Sequence, residues 1–575
     1  MKKLFLVAVT ATLAAVPLTA YASGDDTPRL RVLTPGGVFL ANIDDDAGRC
    51  QAPARKLTAA AVAREDAADE RYNEIAEPTP AQRLAHRTEQ NLTDRQLAAC
   101  NDAADEVVNG PADELDLARL HASWPGAPDS ATATVTLTGN VRLFVKRSRW
   151  TVADKLTAAE LRAGVELGLE GRDVVRDRKV WDGSASVTLR FSSGRTVSVR
   201  LHEAPVRTQL NTQRLERVLA SKVSDTSGRE WRDTVASALP PGVPMSQLDT
   251  GHDEWMQDLF EPGYQVMAGH PMRVLIPSVN QAHRQAARIT YTALRGRDVG
   301  VVHIPTVPVA GVGDDNTYDS MGNLETVPDG RIVLGGTPSP EVVTFLRAQA
   351  AQPVVVVDTS WLVVGHVDEF IQFLPVPGGW RALVADPSAG LALLSTVPAG
   401  AALHGALPPL GDYEERIDQR TAGEFRADPQ FLDVNRIAAG RIDAALAVLA
   451  LPKSQIVRVP VLFTARGLDW GIAKYAIDDL PPGPDRDEAV AALNARRSAV
   501  AETPNPVNGL AAGSGRYVAP KPFGPVVAGR DIFATAIESA LAGIGYRVTF
   551  VDDLISAHVS EGEIHCSTNT YRVIG

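Results

Sequence analysis

Glu561-Gly562-Glu563-Ile564-His565-Cys566-Ser567-Thr568-Asn569 contains one of the three cysteines in the chain. Whether that sulfur is free or paired decides how everything before it is read. Residues 1–22 have the form of a secretory signal: Lys2 and Lys3, a mostly apolar run from Leu4 to Leu18, then Ala20-Tyr21-Ala22 as a small-residue cleavage site. The run is too short for a bilayer span. No later run is long and clean enough, so the expected product is secreted, extracellular and without stable membrane insertion. In an oxidising compartment an odd cysteine count pairs two and leaves one. Cys50 and Cys100 lie in one region and are read as the pair, a cross-link worth about 4 kcal/mol in the chain-entropy picture. Cys566 is then the free thiol, either reactive or buried and inert.

A chain of 575 residues favours several domains. The net charge is −12, and loss of Lys2 and Lys3 with the signal takes it to −14. No basic stripe interrupts this, which argues against a nucleic-acid partner. An acidic surface suits a cationic substrate by steering. Oligomeric state is not legible.

Working back from the tail, residues 203–575 alternate short strands and helices. Helical patterns cover Leu210 to Val223, Pro340 to Ala351 and Ala439 to Ala450. Strands cover Val354 to Val357, Val457 to Val461 and Tyr546 to Val551. Residues 116–202 read as a small β-sandwich-like domain. Ala131 to Lys146 alternates, and Ala185 to Phe191 faces Thr196 to Leu201 across Ser192-Ser193-Gly194-Arg195, a hairpin signal. Leu156 to Leu169 is either a helix or a further strand pair. Residues 23–115 are mixed: one or two strands from Leu30 to Ile43 and a polar helix from about Pro80 to Ala99. Asp44-Asp45-Asp46 precedes Cys50, and Asp102, Asp105 and Glu106 follow Cys100. The disulfide would bring these acids together, either as solvated loops or as a calcium site of hard oxygen ligands.

Two other stretches carry chemistry. Trp255-Met256-Gln257-Asp258-Leu259-Phe260-Glu261 offers an aromatic face for a planar cation and a carboxylate for a forked guanidinium bond. Trp361-Leu362-Val363-Val364-Gly365-His366-Val367-Asp368-Glu369-Phe370 reads as a buried strand, with His366 and Asp368 on one face for acid–base work. Close His-rich spacing of the zinc-hydrolase kind is lacking.

The region from about His202 to Gly575 resembles the catalytic part of protein-arginine deiminases. Six stretches match in order: Trp255 to Asp258; Asp319-Ser320-Met321-Gly322-Asn323-Leu324-Glu325; Trp361 to Phe370; Pro520-Lys521-Pro522-Phe523-Gly524-Pro525; Thr549-Phe550-Val551-Asp552-Asp553; and Gly562 to Cys566. The resemblance implies a five-fold pseudosymmetric α/β propeller. It implies calcium-dependent hydrolysis of peptidyl-arginine to peptidyl-citrulline and ammonia through a covalent thiouronium, with arginine-containing peptides or proteins as partners. By position, Asp258, His366, Asp368 and Cys566 form the catalytic set and Trp255 lies against the substrate arm. Arg284 is the candidate for the arginine that holds the substrate backbone. Gln257, Glu261, Met321, Leu324 and Glu325 match one calcium site of the family. Leu259, and the region of Ile276 and Pro277, lack the acids of a second, so that site is expected to be absent or altered. Ser560 and Glu561 replace basic residues of the animal enzymes.

The chemistry agrees with that assignment. A guanidinium is always protonated and a poor electrophile. Two acids would fix its nitrogens, the thiolate would add to its carbon, and His366 would move protons to ammonia and from water. The acids would raise the thiol pKa, so an imidazolium or the substrate cation has to offset them. Alternatives are a deiminase of free arginine or another small guanidine, and a catalytically inactive arginine-peptide binding protein.

Overall fold

The computed structural model describes residues 26–75, 78–222, 226–308 and 316–575. The expected signal, residues 1–22, lies outside them. No helix among the described residues is long and apolar enough to cross a membrane.

Alternating sequence gives the first domain its two five-stranded sheets. In one, Arg29–Val32, Ala118–Ser123, Val165–Gly171, Val141–Lys146 and Trp150–Val152 lie side by side. In the other, Val38–Phe39 pairs with the Thr196–Glu203 and Ser184–Phe191 hairpin, followed by Thr132–Thr138 and Lys155–Thr157. Leu120, Leu143, Leu167, Val187, Leu189 and Leu201 are fully buried, one face of each strand turned inward. The sheets therefore draw in strands from before residue 116. The stretch from Leu156 to Leu169 holds strand, then the short helix Ala158–Ala163, then strand.

Between Val38–Phe39 and Ala118–Ser123 the chain makes a helical hairpin, α1 (Gln51–Asn73) and α2 (Pro80–Ala98). The Cys50–Cys100 disulfide closes its base. Thr79 caps α2 in a reciprocal capping box with Gln82, and Pro80 occupies its first turn. α1 has no clear apolar stripe, which is why the sequence did not announce it. Beside the buried Ala54, its docking is polar: Arg288 reaches Glu65 of α1 at 2.7 Å and Asp94 of α2 at 2.8 Å.

The remaining chain is mixed α/β, and it repeats one unit five times. Each unit is an antiparallel pair whose second strand takes a third strand parallel to it, with helix between second and third. Phe260–Met267, His270–Pro277 and Val299–Val301 make one unit; Leu324–Thr326, Ile332–Gly335 and Val354–Val357 the next. Ile371–Val376, Gly379–Asp386 and Ile456–Pro460 follow, then Leu510–Gly513, Arg516–Pro520 and Arg547–Val551. The fifth joins the two ends of the domain: Thr568–Arg572 pairs antiparallel with Leu215–Ser221, and Met245–Leu248 runs parallel to the latter. The described part of the stretch expected as a helix, Leu210 to Lys222, is therefore not one; Val223 lies outside the described residues. Its centre is a strand whose partner is the last strand of the chain, a pairing that outweighs local periodicity.

Candidate active site

Loops leading into the first strands of these units converge. Trp255 and Asp258 precede Phe260–Met267, Gly322 precedes Leu324–Thr326, and His366 and Asp368 precede Ile371–Val376. Asn508 precedes Leu510–Gly513, and Cys566 precedes Thr568–Arg572. Repetition of the fold thus brings five distant loops to one place. The run before Gly365 is not a strand. Val367–Glu369 is a single 3-10 turn, and it aims His366 and Asp368 inward from irregular backbone. Glu369 pins it, accepting the His366 N–H at 2.8 Å.

Asp258, His366, Asp368 and Cys566 are all buried. Cys566 Sγ lies 3.4 Å from Asp368 Oδ2, and His366 Nδ1 lies 3.6 Å from Asp258 Oδ1. Gly322 joins the groups. Its N–H donates to Asp258 Oδ1 at 3.1 Å. A Cβ on Gly322 would stand 2.4 Å from Asp258 Oδ1, 3.1 Å from His366 Nδ1 and 3.4 Å from Asp368 Oδ2, so any side chain there would displace the Asp258 carboxylate. His366 Nε2 meets the Thr317 carbonyl oxygen at 2.9 Å. With Nε2 as the donor, Nδ1 is left to exchange a proton. His366 Nδ1 and Asp368 Oδ1 are buried and have no hydrogen-bond partner.

Electrostatics define what the group can do. Burial pushes the Cys566 thiol well up, and the charges of Asp368 and Asp258 add to it. Burial raises Asp258 as well, against the opposing pull of His366 and His283. His565 goes the other way. Burial would lower it, but its hydrogen bond to Asp368 and the charges of Asp368, Glu325 and Asp258 outweigh that, and its pKa is raised. That direction favours the protonated ring on His565, a histidine for which the sequence suggested no role and which shares Asp368 Oδ2 with the thiol. Its Nδ1 is 2.9 Å from Asp368 Oδ2 and its Nε2 3.5 Å from Glu325 Oε1.

Asn508 and His283 were also missed. Asn508 Nδ2 donates to Cys566 Sγ at 3.2 Å, while its Oδ1 accepts the Cys566 N–H at 3.1 Å. His283 stands between two acids, with Nδ1 2.8 Å from Asp253 Oδ2 and Nε2 3.5 Å from Asp258 Oδ2. Trp255 covers the thiol loop: a Cβ on Gly562 would lie 2.1 Å from its ring. Arg284 is not brought to the cluster. It is buried against α2, with Nε 2.6 Å from Asp94 Oδ2 and Nη2 2.6 Å from Asn91 Oδ1, so it ties the helical hairpin to the catalytic region. The sequence assignment of Arg284 to substrate is thereby corrected.

A cavity of about 20 Å³, room for one water, reaches Cys566 from the side of Glu369, Asn508 and Gly562 and is not lined by Asp258, His366 or Asp368.

Gln257, Glu261, Leu324 and Glu325 line a separate polar cavity of about 30 Å³. Met321 is buried on the same loop as Leu324 and Glu325. Burial and mutual repulsion raise Glu261 well above the carboxylate range; burial foremost holds Glu325 at about 7. Two such carboxylates across a space of one ion's size fit a hard divalent cation. Leu259 packs instead with Met256, Phe260 and Leu275 in an apolar cluster. Near the sandwich, Asp44, Asp46 and Asp102 place carboxylate oxygens within 4.8 Å of one another, and Asp116, His270 and Asp298 form a second such group. Burial, then like charges, hold Asp46 at about 7 and keep Asp44 well raised.

The model of the protein-arginine deiminase family matches residues 195–574. Protein-arginine deiminase type-3 of Rattus norvegicus is 30% identical over 352 residues, covering 57% of this chain and 47% of its own length. Type-1 of Homo sapiens is 29% identical over 410 residues, covering 66% and 56%. The chain spans about half the length of the curated relatives it matches. Among solved structures, an agmatine deiminase of C. jejuni covers 64% of this chain and 96% of its own, at 9% identity and a TM-score of 0.34.

Proposed function

Because the chain belongs to the protein-arginine deiminase family, we propose that it hydrolyses peptidyl-arginine to peptidyl-citrulline and ammonia outside the cell, in a calcium-dependent manner. One observation supports this reading: Asp258, His366 and Asp368 converge beside Gly322, and Cys566 reaches Asp368, from three loops 100 or more residues apart. We read the five repeated units as a five-fold propeller, supported by their common pairing and by the joining of both ends of the domain in one sheet.

In this mechanism Asp258 and the unpartnered Asp368 Oδ1 take the nitrogens of the guanidinium, fixing its carbon and balancing its charge. The substrate cation and the His565 imidazolium together favour the thiolate, which burial and two acids oppose. Sγ bonds to the guanidinium carbon. His366 Nδ1 gives a proton to the departing ammonia, leaving a thiouronium on Cys566, then takes one from the attacking water. Collapse breaks the carbon–sulfur bond and leaves the urea of citrulline. Asn508 holds the sulfur and its backbone in place.

Gln257, Glu261 and Glu325 would hold calcium with main-chain oxygens of Met321 and Leu324. The ion would supply positive charge that keeps the two buried carboxylates ionised and sets the loop carrying Gly322. The acids around Asp44, Asp46 and Asp102 would hold further calcium where the helical hairpin, the sandwich and the catalytic region meet.

Citrulline formation from a blocked arginine peptide tests the proposal, with and without a calcium chelator. Expected is turnover that needs calcium and disappears in Cys566→Ser with the fold intact. Near-normal turnover by that variant removes the nucleophile assignment. Turnover of free arginine but not of the blocked peptide makes the protein a small-guanidine deiminase. Binding of the peptide without turnover makes it a binding protein.

A further inference from the structure

A cavity of about 470 Å³ lies far from the thiol's own loop, where the end of α2, the sandwich and the catalytic region come together. Its volume is that of a small-molecule site. Arg95 comes from α2, Arg172 and Arg176 from the segment after Val165–Gly171, and His303 from the segment after Val299–Val301. Ile43 and Val301 add apolar wall.

The charges do not cancel. Arg176 is held by Asp173, Nε to Oδ2 at 2.7 Å and Nη2 to Oδ1 at 2.9 Å, and also donates to the His303 carbonyl oxygen. Arg95 and Arg172 are exposed, and their side chains make no hydrogen bond, ion pair or ring contact among the described residues. The cavity thus keeps the charge of two guanidiniums in a chain whose net charge is −12. His303 forms part of the wall and is 7% exposed, but its Nε2 is closed off from solvent and does not open into the cavity. Burial, foremost, brings its pKa down to about 4, so the ring adds no charge to the wall.

We propose that this cavity binds a small organic dianion, a phosphate monoester or a dicarboxylate with an apolar body, whose oxygens pair with Arg95 and Arg172 beside His303. Guanidinium forks match both oxyanions. The apolar part rests on Ile43 and Val301, which a bare inorganic anion would leave in water.

Isothermal titration of the calcium-loaded full chain tests this, with phenyl phosphate and phthalate as probes and benzamide and inorganic phosphate as controls. Expected is saturable binding of at least one organic dianion below about 10 mM, weakened about 10-fold or more by Arg95→Ala and again by Arg172→Ala. The preferred probe separates phosphate monoester from dicarboxylate. Both arginines are exposed and outside the catalytic cluster, so turnover of an arginine peptide serves as the control for folding. Three results overturn the proposal: no saturation by either dianion at about 10 mM, equal affinity in the double variant, or binding of inorganic phosphate as tight as that of phenyl phosphate.

Discussion

Two carboxylate clusters can be set side by side. One adjoins the thiol: Asp258, Asp368, Glu261 and Glu325. The other gathers Asp44, Asp46, Asp102, Asp113 and Asp116 at the foot of the disulfide-closed hairpin. Both are buried and both hold acids well above their ordinary pKa. They differ in what surrounds them. The first faces a sulfur and three imidazoles, those of His283, His366 and His565, drawn from three of the five units. The second is held by main chain and salt links, as in Asp102 Oδ1 to Arg49 at 2.7 Å and His270 to Asp116 at 2.9 Å. Repelling carboxylates beside a nucleophile serve chemistry. The same carboxylates where three parts of the chain meet serve assembly. A charge removed from either cluster should therefore be read by a different instrument.

The largest separation is expected from Glu325→Gln against Asp46→Asn. Glu325→Gln removes one of two acids facing the cavity beside Asp258 and the His565 contact, and kcat/KM should fall by ~100-fold or more at saturating calcium. Asp46→Asn should leave kcat/KM within about 3-fold and cut the gain in Tm that calcium brings. Parallel kinetics and calorimetry check both. Equal losses of activity in the two variants erase the distinction.

Gly322→Ala comes next. Its methyl would meet Asp258, His366 and Asp368 at once. Loss of ~100-fold in kcat/KM is expected, on the scale of a misplaced catalytic geometry. A smaller loss than in an open glycine such as Gly400, substituted in the same way, would break the claim that Asp258, His366 and Asp368 close on this residue.

Gly322 and Asn508 also mark the limit of what the sequence discloses. Cys566, His366, Asp368 and Asp258 are legible as a set through the family resemblance of the stretches that carry them; taken alone, those stretches also read as a buried thiol, a buried His–Asp pair and a surface loop. Gly322 has no side chain to notice, and Asn508 lies in Asn505-Pro506-Val507-Asn508, which reads as a turn. What unites them is position before the first strand of a unit, and the five units share hydrogen-bond pattern rather than residues. The strand Leu215–Ser221 was hidden for a related reason: its partner Thr568–Arg572 lies some 350 positions away. α1 was hidden because ion pairs, not an apolar stripe, dock it. Arg284 misled because an arginine near a site is read as free for substrate, whereas Asp94 on the hairpin neutralises it.

His283 offers a smaller effect with a distinct form. It bridges Asp253 and Asp258, so it orients the carboxylate proposed to hold the substrate. His283→Ala should raise KM for a blocked arginine peptide about 10-fold, with kcat less changed, and His283→Gln should recover part of it by keeping a donor. A fall confined to kcat contradicts the positioning role.

The smallest expected effect is a pH dependence of stability in chelator, and its sign separates the clusters' shared physics from ordinary acid behaviour. Burial, then like-charged neighbours, hold Asp46 at about 7; burial holds Asp116 at about 6 although His270 lowers it. Unfolded aspartates titrate near 4. As pH falls from about 8 to about 6.5 the native chain takes up protons that the unfolded chain does not, and stability rises. Below that, unfolded histidines begin to charge while native His303, at about 4, stays neutral, and the trend reverses. Asp46 is half-exposed, so its share is discounted for solvent. The net should be on the order of 1 kcal/mol, or ~1–3 °C in Tm. Asp46→Asn should flatten the slope, and calcium should abolish it by holding the carboxylates ionised. A chelated protein that loses stability between pH 8 and 6.5 would mean that these acids are ionised in the native state without a cation. The second cluster would then be no metal centre, and the contrast with the first would rest on histidines alone.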